Sequence, residues 1–170
     1  TVFFGGGTPS LMPPSLVEAV LDGIGRAWRF SNAPEITMEA NPGSVDVDRF
    51  RAYRSAGVNR VSLGVQALDD THLRLLGRKH TRQDAVTAIS VANRVFERVS
   101  LDLMYGRQHQ DEAHWQQELA EALAFGTEHL SLYQLTVEDG TVFARRHAAG
   151  QLPGLPEEAR AIALYDITQE

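Results

Sequence analysis

The stretch Arg60-Val61-Ser62-Leu63-Gly64-Val65-Gln66 decides the fold. Its β-branched and apolar residues predict a strand over 60–65, with Gln66 at the carboxyl end. Upstream, Asp46 predicts the cap of a helix carrying Val47, Phe50 and Tyr53, and Gly57 its left-handed stop. Downstream, Asp69-Asp70 opens a short helix through Leu73, Leu75 and Leu76. A strand flanked by helices is the repeating unit of a parallel sheet.

The same alternation extends in both directions. Strands are expected over 2–5 and 35–39 on one side, and over 99–104 and 129–135 on the other. Between them lie apolar residues at helical spacing: Leu16, Val17, Val20, Leu21 and Ile24; Ala85, Ile89, Ala92 and Val95; Trp115, Leu119 and Ala122. The strands read as near-continuously apolar, which predicts a sheet covered on both faces. An α/β fold with a parallel sheet follows. Strand pattern leaves its closure open between a doubly wound sheet and a part-barrel.

Of the 170 residues 43% are hydrophobic, enough for one ordinary domain, and no apolar run is long enough to span a bilayer. A net charge of −6 with scattered Lys and Arg argues against nucleic acid as a partner. Cysteine is absent, and the six histidines show no ligand spacing, so no metal site is expected from these residues. No secretion signal is visible, which points to a cytoplasmic protein. Thr1-Val2-Phe3-Phe4 already reads as a strand and the last residues as an interrupted helix. The expectation is a piece of a longer chain, with 1–150 as its core and 151–170 as the start of a C-terminal region.

Polar and glycyl residues recur where the strands end: Gly5-Gly6-Gly7-Thr8, Glu39, Gln66, Asp102 and Tyr133-Gln134. Ligands of parallel α/β folds bind at that edge. Each residue also has a plain structural reading. The glycines could form only a turn, Glu39 could be a solvated strand end, and Gln66 could bond a neighbouring loop. Asp102 sits in an apolar stretch and needs a partner, either a ligand or a group such as Arg78. Arg78 itself could be a surface charge. The glycines match neither a dinucleotide fingerprint nor a P-loop.

Taken together, Phe4-Gly5-Gly6-Gly7-Thr8-Pro9-Ser10, Glu39-Ala40-Asn41-Pro42 and Asn59 through Gln66 resemble the oxygen-independent coproporphyrinogen III oxidase-like family of radical S-adenosylmethionine proteins. Leu76-Gly77-Arg78-Lys79-His80, Ser100 through Gly106 and His129 through Phe143 extend the resemblance over almost the whole chain. Glu39-Ala40-Asn41-Pro42 and the stretch Leu130 to Glu138 are most similar to its HemW-type heme-chaperone subgroup.

The resemblance implies a radical SAM (β/α) part-barrel, incomplete here. It also implies two cofactors, S-adenosylmethionine and a [4Fe–4S] cluster whose three cysteines lie before Thr1. Gly6, Gly7 and Thr8 would approach the methionyl amino group and Arg78 would grip the methionyl carboxylate. Glu39, Gln66 and Asp102 would hold other polar groups, and Thr136 would contact the adenosine through its backbone. The implied function is heme binding and delivery, with heme or a porphyrinogen as ligand and heme-receiving proteins as partners. The alternative is an oxidase that uses a 5′-deoxyadenosyl radical in porphyrin biosynthesis. A third reading, an enzyme for a phosphorylated metabolite, is disfavoured by Glu39 and Asp102, which would repel phosphate. One segment departs from the family. Where it usually continues Tyr-Gly with Leu-Pro-x-Gln-Thr, this chain has Tyr105-Gly106-Arg107-Gln108-His109-Gln110-Asp111. The geometry of that loop does not follow from the resemblance.

Overall fold

The computed structural model describes residues 1–30 and 32–169. Its strands are β1 (Val2–Phe4), β2 (Ile36–Ala40), β3 (Arg60–Gln66), β4 (Arg98–Tyr105) and β5 (His129–Gln134). They pair in parallel, in the order β1-β2-β3-β4-β5. The helices are α1 (Pro14–Ala27), α2 (Val47–Ser55), α3 (Asp70–Leu75), α4 (Arg82–Val95), α5 (Glu112–Ala124), α6 (Val142–Ala148) and α7 (Glu158–Gln169). The expected strands agree with these bounds to within a residue. Neighbouring strands adjacent in both sequence and space are what short right-handed crossovers produce.

Local chemistry fixes where the helices start. Pro14 opens α1, where its missing N–H is no loss. The Asp46 carboxylate accepts from the Arg49 amide (2.8 Å) at α2, and the Asp111 carboxylate from the His114 amide (2.8 Å) at α5. Thr81 and Asp84 form a reciprocal capping box at α4. Helix α6, capped by Thr141, has no counterpart among the helices expected from spacing. It buries no residue, so no apolar period marks it.

The strands differ from the near-continuous apolar reading. Successive side chains alternate between faces. Met38, Ala40, Val61, Leu63, Val65, Val99, Leu101 and Leu103 form one face, packed with Val17, Phe50, Tyr53, Ala85, Ile89 and Trp115 from the helices into the core. The other face carries polar residues. There Glu39 stands in register with Ser62 and Ser62 with Ser100, while Asp102 is level with Ser131. A sheet dry behind and polar in front is the wall of an incomplete barrel, its polar side forming the interior. Among the described residues, no helix is long and apolar enough to cross a membrane. Helix α7 packs on α5, where the Trp115 indole donates to the Thr168 hydroxyl (2.9 Å) and Leu164 is buried.

Candidate functional site

The site begins at the glycine loop that follows β1. Gly6 (φ 83°) and Gly7 (φ 64°) both occupy the left-handed region, which side chains resist. Gly5 is short of room instead: a β-carbon there would meet the Phe3 ring at 2.8 Å and the Glu39 carboxyl carbon at 3.4 Å. That clearance lets the Glu39 carboxylate accept from the Gly6 amide at 3.1 Å. Glu39 thus fastens the loop whose backbone would approach a ligand. Behind the loop, the Tyr53 hydroxyl donates to the carbonyls of Ser10 (2.8 Å) and Met12 (2.6 Å).

At the end of β3 the register slips between Leu63 and Gln66. Gln66 takes φ 67°, and the Ala67 amide donates to the Val65 carbonyl at 2.8 Å. That is a γ-turn in its less stable hand, and such strain persists only where surrounding contacts enforce it. The Gln66 side chain folds back over Gly64, where an added β-carbon would sit 3.2 Å from its amide nitrogen.

Asp102 projects from the polar face of β4. The Ser62 hydroxyl donates to its carboxylate at 2.9 Å. Burial pushes the Asp102 carboxyl above the ordinary value, and the Glu39 charge adds to this, while the Ser62 and Ser131 hydroxyls oppose it. Arg78 follows α3. Its amide donates to the Leu73 carbonyl (2.9 Å), and burial draws its guanidinium below the ordinary value. Arg78 forms no ion pair among the described residues, so the suggested Arg78–Asp102 partnership is not made.

These residues meet. A cavity of about 200 Å³ is lined by Gly7, Thr8, Glu39, Ser62, Gln66, Arg78 and Asp102. Gly6 and Thr8 border an adjoining hollow beside Phe3 and Met12. Thr136 lies outside the polar cavity, in a neighbouring cleft of about 410 Å³ with Met104, Tyr133 and Phe143, and Arg78 lines both. The whole is one polar end and one apolar end joined at a guanidinium. It suits a ligand with a zwitterionic head and a flat apolar body.

Sequence reasoning missed two residues behind this wall. Arg107 and Glu118 form a buried ion pair, with side chains 2% and 9% exposed. Glu118 did leave a signal, since it shares the inward face of α5 with Trp115 and Ala122. The loop that departs from the family pattern is ordered by its own polar groups. The Gln108 side-chain amide donates to the Pro153 carbonyl (2.9 Å), and the Arg107 amide to the Gln110 side chain (3.2 Å).

The chain carries no cysteine, so none of its residues supplies a thiolate to an iron–sulfur cluster. It is 45% identical over 166 residues to the cattle protein named radical S-adenosyl methionine domain-containing protein 1, mitochondrial, covering 97% of this chain and 37% of that one. It is 42% identical over 171 residues to heme chaperone HemW of Escherichia coli, covering 100% of this chain and 43% of that protein. The chain thus spans well under half the length of these relatives. Coproporphyrinogen III oxidase (HemN) from Escherichia coli shares the fold, with a TM-score of 0.82 at 23% identity over 98% of this chain and 38% of that one. The sequence matches the Radical SAM superfamily over residues 1–122, and the chain belongs to that superfamily.

Proposed function

We propose that this chain is the S-adenosylmethionine-binding core of a radical SAM protein that binds and delivers heme. The observation that carries the binding site is Arg78, half-buried, without an ion pair among the described residues, and facing a cavity that also holds Glu39, Asp102 and the glycine edge. A methionyl head has one carboxylate and one ammonium. Arg78 would take the carboxylate through a planar fork. The ammonium would lie against the backbone of Gly6, Gly7 and Thr8, with Glu39 holding the loop in place. Gln66 and Asp102 would hold other polar groups of the ligand, and the cleft at Thr136 would receive the adenosine. Beside a [4Fe–4S] cluster, whose thiolates this chain does not supply, S-adenosylmethionine offers a reductively cleavable sulfonium.

Heme delivery rather than porphyrinogen oxidation is favoured by the relatives. The Escherichia coli protein 42% identical over this whole chain is named a heme chaperone, whereas the oxidase structure is 23% identical. In this proposal heme is the cargo and heme-receiving proteins are the partners. Residues 151–170 would begin the region that contacts heme, and the protein would work in the cytoplasm.

The test is titration calorimetry of S-adenosylmethionine on the full-length, cluster-loaded protein. Hydrogen bonds to charged groups contribute roughly 1.5–3 kcal/mol, so Arg78→Ala should weaken binding about 10- to 150-fold. Arg78→Lys should recover only part, because an ammonium lacks the fork. Unchanged affinity in the Ala variant would return Arg78 to the role of a plain loop charge.

A further inference from the structure

We infer that Arg107 and Glu118 are positioning residues that hold Gln66 in its ligand-facing conformation; the inference rests on the binding site proposed above. The Arg107 guanidinium donates to both Glu118 carboxylate oxygens, one at 3.1 Å, and also to the Gln66 carbonyl at 3.5 Å. Glu118 in turn accepts from the Leu68 amide at 2.5 Å. One buried pair therefore grips the backbone on both sides of Ala67, directly after the left-handed Gln66 (φ 67°).

Burying two charges is offset by their attraction only about as well as an apolar pair of similar volume would manage. Net stability is therefore a weak reason for the pair. Its contacts supply a better one. After the register slip Gln66 pairs once more, with Leu103, and the strand ends there; unpaired buried backbone groups are costly where a chain turns out of a sheet. An Arg–Glu fork bonds the Gln66 carbonyl and the Leu68 amide and fixes the angle at which β3 gives way to α3. That angle aims the Gln66 side chain back over Gly64 into the cavity. An apolar pair could fill the space but could not hold the turn. The His80 ring bonds the Val65 carbonyl at 3.1 Å, so the strand is anchored just before the turn as well.

The experiment uses full-length, cluster-loaded protein and a double-mutant cycle. Arg107→Met combined with Glu118→Met removes both charges together, so neither is left buried alone. This variant should fold, as judged by thermal unfolding, yet bind S-adenosylmethionine about tenfold more weakly. Gln66→Ala should weaken binding on its own, and adding it to the paired Met variant should cause little further loss. Such coupling is expected only if the pair acts through Gln66. Should the paired variant fail to fold, Arg107→Lys enters the same cycle, since it keeps the charge but cannot reach Glu118 and Gln66 together. Unchanged affinity in a folded variant, or losses that simply add to that of Gln66→Ala, would overturn the inference. If Arg78→Ala loses affinity while the Arg107 variants do not, this inference fails and the binding site stands. If the wild-type protein binds no S-adenosylmethionine, both fail.

Discussion

Asp102 holds a carboxyl on a strand whose other face is packed solid, and the Ser62 and Ser131 hydroxyls attend it. Burial raises its pKa above the ordinary 3.8. A raised folded-state value means that its contribution to stability is complete below 3.8 and is lost as pH rises through the higher folded value. Asp102→Asn stays neutral at every pH and keeps an acceptor for the Ser62 hydroxyl. At pH 7 this variant should melt above the wild type, and below about pH 4 the advantage should vanish. Equal melting temperatures at pH 7 would show that the wild-type carboxylate is adequately solvated. At this scale most of the residues that line the polar cavity were legible. Glu39, Gln66 and Asp102 could be singled out because polar residues near strand ends break an apolar pattern, whereas Arg78, in the segment after a short helix, stood out only through the family resemblance. Arg107 could not be singled out, and Glu118 only by its place on the inward face of α5. Their pairing spans a loop and two turns of helix, and only tertiary packing reveals that an arginine beside three polar neighbours is buried. The left-handed turn at Gln66 was equally hidden, since glutamine carries no signature of positive φ.

Helix α3 shows how an element delivers a residue. It ends in a Schellman motif: the Arg78 amide donates to the Leu73 carbonyl at 2.9 Å and the Gly77 amide to the Arg74 carbonyl at 3.0 Å. Gly77 takes φ 72°, with open space around it. An alanine there would meet no clash with neighbours, only the intrinsic penalty of the left-handed region, about 1–2 kcal/mol. Gly77→Ala should lower stability by that amount in urea unfolding. It should also weaken S-adenosylmethionine binding, because Arg78 is the next residue. A stability loss with full affinity would mean that Arg78 finds its place independently of the cap. The short helix through Leu76 was readable in advance; its left-handed stop at Gly77 was not drawn from the sequence. Nor was the two-faced character of the strands. Small residues such as Ser62, Gly64 and Ser100 interrupt the apolar run too gently to announce an open, polar face.

Across the whole molecule the two ends of the sheet are built differently. The N-terminal end is tied by an ion-pair ladder, in which Glu35 accepts from Arg60 (3.2 Å) and from Arg98, and Arg98 also bonds Glu128 (2.9 Å). The carboxyl end is left polar and partly unpaired. Strand order was legible because βα units repeat; closure was not, because a two-residue period is the same in flat and curved sheets. This division has a consequence for acid stability. The His80 Nε2 faces the Val65 carbonyl, so the neutral ring donates there, and its buried Nδ1 has no partner among the described residues. A second proton would be stranded. Burial, helped by Arg78, holds His80 below 6.5, and burial with Arg107 does the same to His72. Depressed folded values mean stability that is complete above 6.5 and lost as pH falls below it. Glu35 follows the same sign lower down: burial would raise it, but Arg60 and Arg98 hold it below 4.5. Unfolding midpoints measured from pH 8 to pH 3 should therefore descend in two stages, the first from the histidines and the second from the carboxylates held low, Glu35, Asp69 and Asp84, with Asp102 working in the opposite direction. His80→Gln places an amide nitrogen where Nε2 was and cannot take up a proton. Its midpoint should fall less than that of the wild type between pH 7 and pH 5, and the two curves should run parallel below pH 4. Parallel curves over the whole range would show that His80 accepts its proton without strain, and the first stage would then belong to His72 alone.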